Sequence, residues 1–181
     1  MRKKTGACLQ LVKIYWGFLI SLLHKYTPLT FGGDRIQDIF SYYKYSNILS
    51  SSGQPTEAQF YAIREAGFKT VINLLPRNTE NSLDHEAELV ETLGMKYIHI
   101  PVEFFHPTED NFSEFAAAMQ AVSREKTWVH CAANARASAF IYKYRTTVLK
   151  EDPDTAKWDV REIWEPYFYP AWRKFISWER D

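Results

Sequence analysis

Cysteine is nearly absent from this sequence: Cys8 and Cys131 are the only two in 181 residues. A small disulfide-stapled scaffold would need more of them in a shorter chain, so Cys131 is read as a free thiol. An excess of either charge is also missing, since 22 basic and 22 acidic residues cancel. With no global field to draw the chain onto a polyanion, nucleic acid is not an expected partner. The five histidines are scattered and show no paired ligand spacing, so no metal site is expected. No internal repeat or low-complexity segment is present. What the chain does have is apolar material, 46% hydrophobic and 16% aromatic, enough for one sizeable core in a domain of ~100–200 residues.

Residues 1–45 differ in character from the rest. "MRKK" followed by "LQLVKIYWGFLISLL" has the charged start and short apolar centre of an export signal or membrane anchor, although Lys13 interrupts it and no Ala-x-Ala cleavage pattern follows. The uninterrupted part, Ile14 to Leu23, is shorter than the ~20 residues a spanning helix needs. Its aromatics and flanking Arg2, Lys3, Lys4, Lys13 and Lys25 also fit a helix lying in a membrane interface. Three readings stand: an exported chain, a membrane-anchored one, or a cytoplasmic protein whose leader helix packs on the core. The following "FGGDRIQDIFSYYKYSN" reads as a linker into a domain spanning 46–181.

Within that domain helix and strand patterns alternate. "PTEAQFYAIREAGF" opens with a capping box, Thr56 and Gln59, and stops at Gly67. "KTVINLL" is a short apolar run closed by Pro76, a buried strand. A second helix runs through Ala87, Val90 and Leu93 to Gly94, and "MKYIHIPV" is the next strand. "PTEDNFSEFAAAMQAVSR" sets Phe112, Phe115, Ala116, Met119 and Val122 at helical spacing. "KTWVHC" is the last strand, followed by a helical C-terminal cap whose Trp158, Trp164, Trp172, Phe175 and Trp178 are assigned to the core. This alternation implies an α/β fold: a central, mostly parallel sheet with helices on both faces, ligand-binding groups collecting beyond the strand C-termini. Arg77, Glu103 and Cys131 all lie at that end.

The segment "TWVHCAANARAS" carries the chemistry. A strand ending at Cys131 and a helix beginning near Ala135 leave a tight loop whose N–H groups lack intrahelical partners and can point into one concavity. The helix dipole favours both a bound oxyanion and an ionised thiol there. Arg136 can hold two oxygens of a phosphate by paired, charge-assisted hydrogen bonds. The thiol then faces the phosphorus of a bound monoester, as nucleophilic catalysis requires.

"VHC", four residues and "R" resemble the active-site loop of the cysteine-based protein tyrosine and dual-specificity phosphatases. With "SSGQPTEAQF" and "VINLLP" earlier in the chain, the likeness is to the small bacterial phosphatase-like branch with a shortened Cys-x-x-x-x-Arg loop, and it covers about three quarters of the sequence. The resemblance implies hydrolysis of a phosphate monoester through a phosphocysteine intermediate, without a cofactor, on a phosphorylated substrate. It implies Cys131 as nucleophile, the segment Ala132, Ala133, Asn134, Ala135 and Arg136 as phosphate cradle, and His130 and Ser138 as supporting groups. The family's general acid follows an earlier strand, where this chain has Glu103, with His106, Glu109 and Asp110 as competitors. Arg77 and His106 are candidate substrate contacts at the rim. The departures are a loop one residue short, no central glycine, with Asn134 as the residue that tolerates a left-handed conformation, and Ala137 where the family has a hydroxyl. A module that binds phosphate or sulfate with little or no turnover is the alternative, and sulfur transfer by a rhodanese-like enzyme is a more distant one.

Overall fold

Serine hydroxyls that bond back to the protein allow the run Leu49–Ser52 to form a buried strand. Ser51 donates to the Tyr45 hydroxyl, and Ser52 donates to the Gly53 carbonyl while accepting from the Trp128 indole N–H. The computed structural model describes residues 33–77, 79–80 and 82–178. The leader helix expected in "LQLVKIYWGFLISLL" lies outside the described residues. Among those described, no helix is long and apolar enough to cross a membrane.

Five strands form one sheet: β1 (Tyr43–Lys44), β2 (Leu49–Ser52), β3 (Thr70–Asn73), β4 (Lys96–His99) and β5 (Thr127–His130), in the order β1-β2-β5-β3-β4. β1 is antiparallel to β2 and every other pair is parallel. The sheet therefore begins before residue 46. "YYKYSN", read as linker, supplies β1, and Ile39 is already buried in the core. Tyr43 is tied down by a 2.6 Å bond from its hydroxyl to Asp159. That carboxylate also binds Arg145, which donates in turn to Glu151 at 2.7 Å.

The helices are α1 (Glu57–Glu65), α2 (Glu86–Thr92), α3 (Glu109–Ala121), α4 (Ala135–Thr147), α5 (Pro153–Ile163) and α6 (Pro170–Phe175). The expected capping box forms at Thr56 and Gln59, and Gly67, at φ +87°, ends the first helix in the left-handed conformation that glycine adopts without steric cost. A second capping box, Thr108 with Asn111, opens α3. Strand periodicity then separates two cores. On one face Phe60, Ile63, Val71, Val90 and Trp128 pack under α1 and α2. On the other, Ile72, Leu74, Val129, Cys131, Phe115 and Phe140 pack with α3, α4 and the C-terminal cap. Trp164, Trp172, Phe175 and Trp178 are buried in that second core as expected, but Trp158 is 65% exposed. It sits on the solvent side of α5, whose inward positions are Ala156, Val160 and Ile163.

The junction from β5 to α4 is the tightest in the fold. Asn134 immediately precedes α4 with φ 66° and ψ 0°, a left-handed residue, and its amide donates to the Ser41 carbonyl at 2.7 Å. Gly53 meets the same loop from β2: a Cβ there would lie 2.8 Å from both the Ala132 carbonyl oxygen and the Phe40 ring, so only glycine permits the approach.

Two stability outcomes follow. Asn134→Ala and Asn134→Gly both lose the bond to Ser41, but only alanine keeps a Cβ in the left-handed region, so it should be the less stable of the two by about 1–2 kcal/mol. Phe140→Ala, which removes a fully buried ring packed against Phe115, Trp172 and Phe175, should cost about 3–5 kcal/mol. Urea unfolding midpoints at constant slope measure both.

Candidate active site

β5 is the central strand, paired on one side with β2 and on the other with β3, and its end is fixed from both. The His130 carbonyl accepts from Leu74 N–H at 2.9 Å, Cys131 N–H reaches the Ser52 carbonyl at 3.4 Å, and Gln54 N–H donates to the Ala132 carbonyl at 3.2 Å. The loop from Cys131 to Arg136 is thus tied at its start through the Cys131 N–H and the Ala132 carbonyl. The N–H groups of Ala132, Ala133, Ala135 and Arg136 donate to no acceptor among the described residues. Orphan donors at the start of a thirteen-residue helix, beside a left-handed residue, are groups of the kind that suit an anion, and the helix dipole has the same sign there.

Arg136 stands at the second position of α4 and is partly exposed. Its guanidinium carbon lies 5.3 Å from the centre of the Phe104 ring, and its Nε has no hydrogen-bond partner among the described residues. Phe104 is wedged among Phe105, Trp164, Tyr169 and Trp172, so the aromatic cap holds it in place. Phe104 directly follows Glu103 in a turn closed by a 3.1 Å bond from His106 N–H to the Glu103 carbonyl. The turn with the candidate acid and the helix with the candidate phosphate-binding arginine therefore touch. The Glu103 and His106 side chains are exposed.

Cys131 is 1% exposed and counts among the apolar residues packed under α4, on the opposite side of the sheet from His130. Ser138 is equally buried: its hydroxyl donates to the Ala135 carbonyl at 3.1 Å and accepts from the Trp164 indole at 3.0 Å, which joins the first turn of α4 to the cap. Arg77 is not brought to this loop by any contact. Its Nε donates to His99 Nδ1 at 3.3 Å, and both line a separate cleft of about 310 Å³ with Asn73, Tyr97 and Glu86. Among the described residues no cluster of His, Cys, Asp or Glu is arranged to hold a metal ion.

The residue that sequence reasoning missed is Glu86. It opens α2, where an acidic side chain is ordinary, yet it is 3% exposed and receives four hydrogen bonds. Gln54 donates to Oε2; Asn73 at 2.7 Å, the Tyr97 hydroxyl at 2.9 Å and His130 Nε2 at 3.1 Å converge on Oε1. Burial alone would raise its pKa, but the His130 charge and bond, with those from Gln54 and Tyr97, outweigh it and hold the carboxyl below the usual range. Burial beside this carboxylate pushes the Tyr97 hydroxyl well up. The available signal was spacing: Asn73, Tyr97 and His130 each fall at an inward strand position on the α1–α2 face, where a polar side chain needs a partner.

Residues 34–163 match the family described as a DSP-PTPase phosphatase fused to NAD+ kinase. A DUF442 protein from Shewanella putrefaciens CN-32 superposes with a TM-score of 0.71 at 33% identity, over 78% of this chain and 89% of that one. P. aeruginosa TpbA superposes with a TM-score of 0.63 at 15% identity over 78% and 86% of the two chains. The catalytic domain of the S. cerevisiae PP-IP phosphatase SIW14 does so at 0.62 and 14% identity over 79% and 87%; these two establish likeness of fold. No curated protein matches the chain. The α/β fold, the Cys131-to-Arg136 loop and the family match over most of the domain lead to one conclusion: the chain belongs to the cysteine-based protein tyrosine and dual-specificity phosphatase-like family.

Proposed function

We propose that the protein hydrolyses phosphate monoesters through a phosphocysteine intermediate. The observation that carries this reading is the set of unpaired donors around one loop, namely the free N–H groups of Ala132, Ala133, Ala135 and Arg136 together with the unpartnered Arg136 Nε. Such donors, fixed in advance and partly screened from water, suit a dianion whose charge shifts during transfer.

In this reading the Cys131 thiolate attacks phosphorus as the ester P–O bond breaks, and the departing oxygen takes a proton from a carboxylic acid. Glu103 is the candidate, because its turn rests on Arg136 through Phe104. Water, deprotonated by the resulting carboxylate, then displaces the thiolate and releases inorganic phosphate. Arg136 and the loop amides hold the non-bridging oxygens in both steps, so the residues present suffice without a cofactor. A second reading, a module that binds phosphate or sulfate with little or no turnover, is favoured by the burial of Cys131 and by the outward exposure of Glu103.

Hydrolysis of an artificial aryl phosphate separates the two. Cys131→Ser should lose on the order of 10³-fold or more in kcat, and equal rates in wild type and variant would end the phosphatase reading. Glu103→Gln should lower kcat about 10²-fold and remove the alkaline limb of the pH profile, where a proton donor is lost, whereas unchanged kinetics would pass the acid role to another group. Arg136→Lys keeps the charge but not the fork, so vanadate binding measured by calorimetry should weaken about tenfold or more.

A further inference from the structure

Arg136 is a cation seated on a ring rather than on an acceptor. Its guanidinium carbon lies 5.3 Å from the centre of the Phe104 ring, its Nε is buried without a hydrogen-bond partner, and no carboxylate pairs with it among the described residues. Two other cations of α4 are held differently. Arg145 donates to Glu151 at 2.7 Å and also pairs with Asp159, while Lys143 donates to the Phe175 carbonyl at 2.9 Å and pairs with Glu109. A carboxylate partner neutralises a cation and occupies its donors. An aromatic face attracts the same charge through the ring quadrupole and leaves the donors unused. Such a seat suits a guanidinium that grips a ligand with its N–H fork.

The seat is only as well placed as Phe104, which is itself half-buried. Trp164, Tyr169 and Trp172 of the cap close around its ring, at centre distances of 6.1, 5.5 and 5.7 Å. Trp164 also reaches α4, because its indole N–H donates to Ser138 Oγ at 3.0 Å. Ser138 stands two residues after Arg136 and bonds back to the Ala135 carbonyl at 3.1 Å, so the indole is tied to the turn that carries the arginine backbone. The other buried indoles of the cap make no such link. Trp178 donates to Glu165 within the cap at 2.9 Å, and the Trp172 N–H has no partner among the described residues. Trp164 and Ser138 are both fully buried, so no water competes for their bond. One side chain thus touches both what the arginine starts from and what it ends on.

We propose that Trp164 is a positioning residue of the anion site: by bonding Ser138 and packing on Phe104 at once, it fixes the gap between the first turn of α4 and the Phe104 ring, and so fixes where the Arg136 guanidinium stands. This rests on the reading of Arg136 as an oxyanion-binding group and deepens it by naming what holds the arginine before the ligand arrives. A long side chain held in advance loses less rotamer freedom on binding, so the effect is read as affinity for a tetrahedral dianion.

Tungstate is such a dianion and needs no turnover; it is titrated by calorimetry into the full chain. Trp164→Phe keeps a ring against Phe104 but loses the N–H, and tungstate binding should weaken about fivefold. Phe104→Leu, which keeps apolar volume but loses the ring face, should weaken it by about the same factor, whereas Phe104→Tyr, which retains the face, should bind within about twofold of wild type. Combined with Arg136→Lys, the further loss from Trp164→Phe should shrink to less than about twofold, because the planar fork it positions is gone. Should Trp164→Phe fail to fold, Ser138→Ala removes the same bond from the helix side and replaces it in the comparison with and without Arg136→Lys. A merely structural Trp164 would lower the melting temperature and leave tungstate affinity unchanged. That result, an equal loss with and without Arg136→Lys, or a wild type that binds no tungstate, would overturn the proposal. Tungstate binding is independent of hydrolysis, so a chain in which Cys131→Ser leaves phosphate release untouched would end the phosphatase reading and leave this one standing.

Discussion

Four residues between a thiol and a guanidinium are all this chain has for turning a central strand into a helix, and the geometry of the site depends on that constraint. A turn this short closes through a left-handed residue, and Asn134 supplies it while its amide ties the loop to Ser41. It also needs an approach close enough to exclude a side chain, which Gly53 permits beside the Ala132 carbonyl. The Ala132 carbonyl is engaged by Gln54 after β2, and the N–H groups of Ala132, Ala133, Ala135 and Arg136 are left without acceptors among the described residues.

Strand periodicity then divides the labour between the two faces of the sheet. Cys131 enters the large aromatic core under α4, and His130, one residue earlier, enters the opposite face. The first side supplies packing: the cap buries Trp164 and Trp172 around Phe104, and Phe104 in turn lies against Arg136. The second side supplies polarity through a carboxylate saturated by donors from β3, β4, β5 and the segment after β2. Such a buried set of bonds is rigid, because each bond lost would strand a group away from water. Both sides therefore restrain the same six-residue loop, one by close packing and one by directed bonds.

Much of the fold was legible because local signals agreed with the tertiary result. Thr56 and Gln59 formed their capping box, the helix from Glu57 stopped at Gly67, and the three apolar runs ending near Pro76, Pro101 and Cys131 became β3, β4 and β5. β1 and β2 were hidden, since strand propensity rewards apolar surface and these segments carry tyrosine, lysine and consecutive serines whose burial depends on partners elsewhere in the fold. Trp158 shows the converse. Aromatic residues favour burial, but its place on the outer side of α5 gave it nothing to pack against, and periodicity within the helix outweighed residue type.

By itself the sequence determined the strand-to-helix junction, the spacing of Cys131 and Arg136 across it, and the alternation that demands a covered parallel sheet, because each is a local property of neighbouring residues. Tertiary structure alone decided which carboxylate is buried, that Arg77 turns to His99, and that Ser138 serves the cap through Trp164. Those outcomes depend on donors and walls drawn from strands far apart in the chain. A first-turn glutamate looks the same in sequence whether water or four hydrogen-bond donors await it.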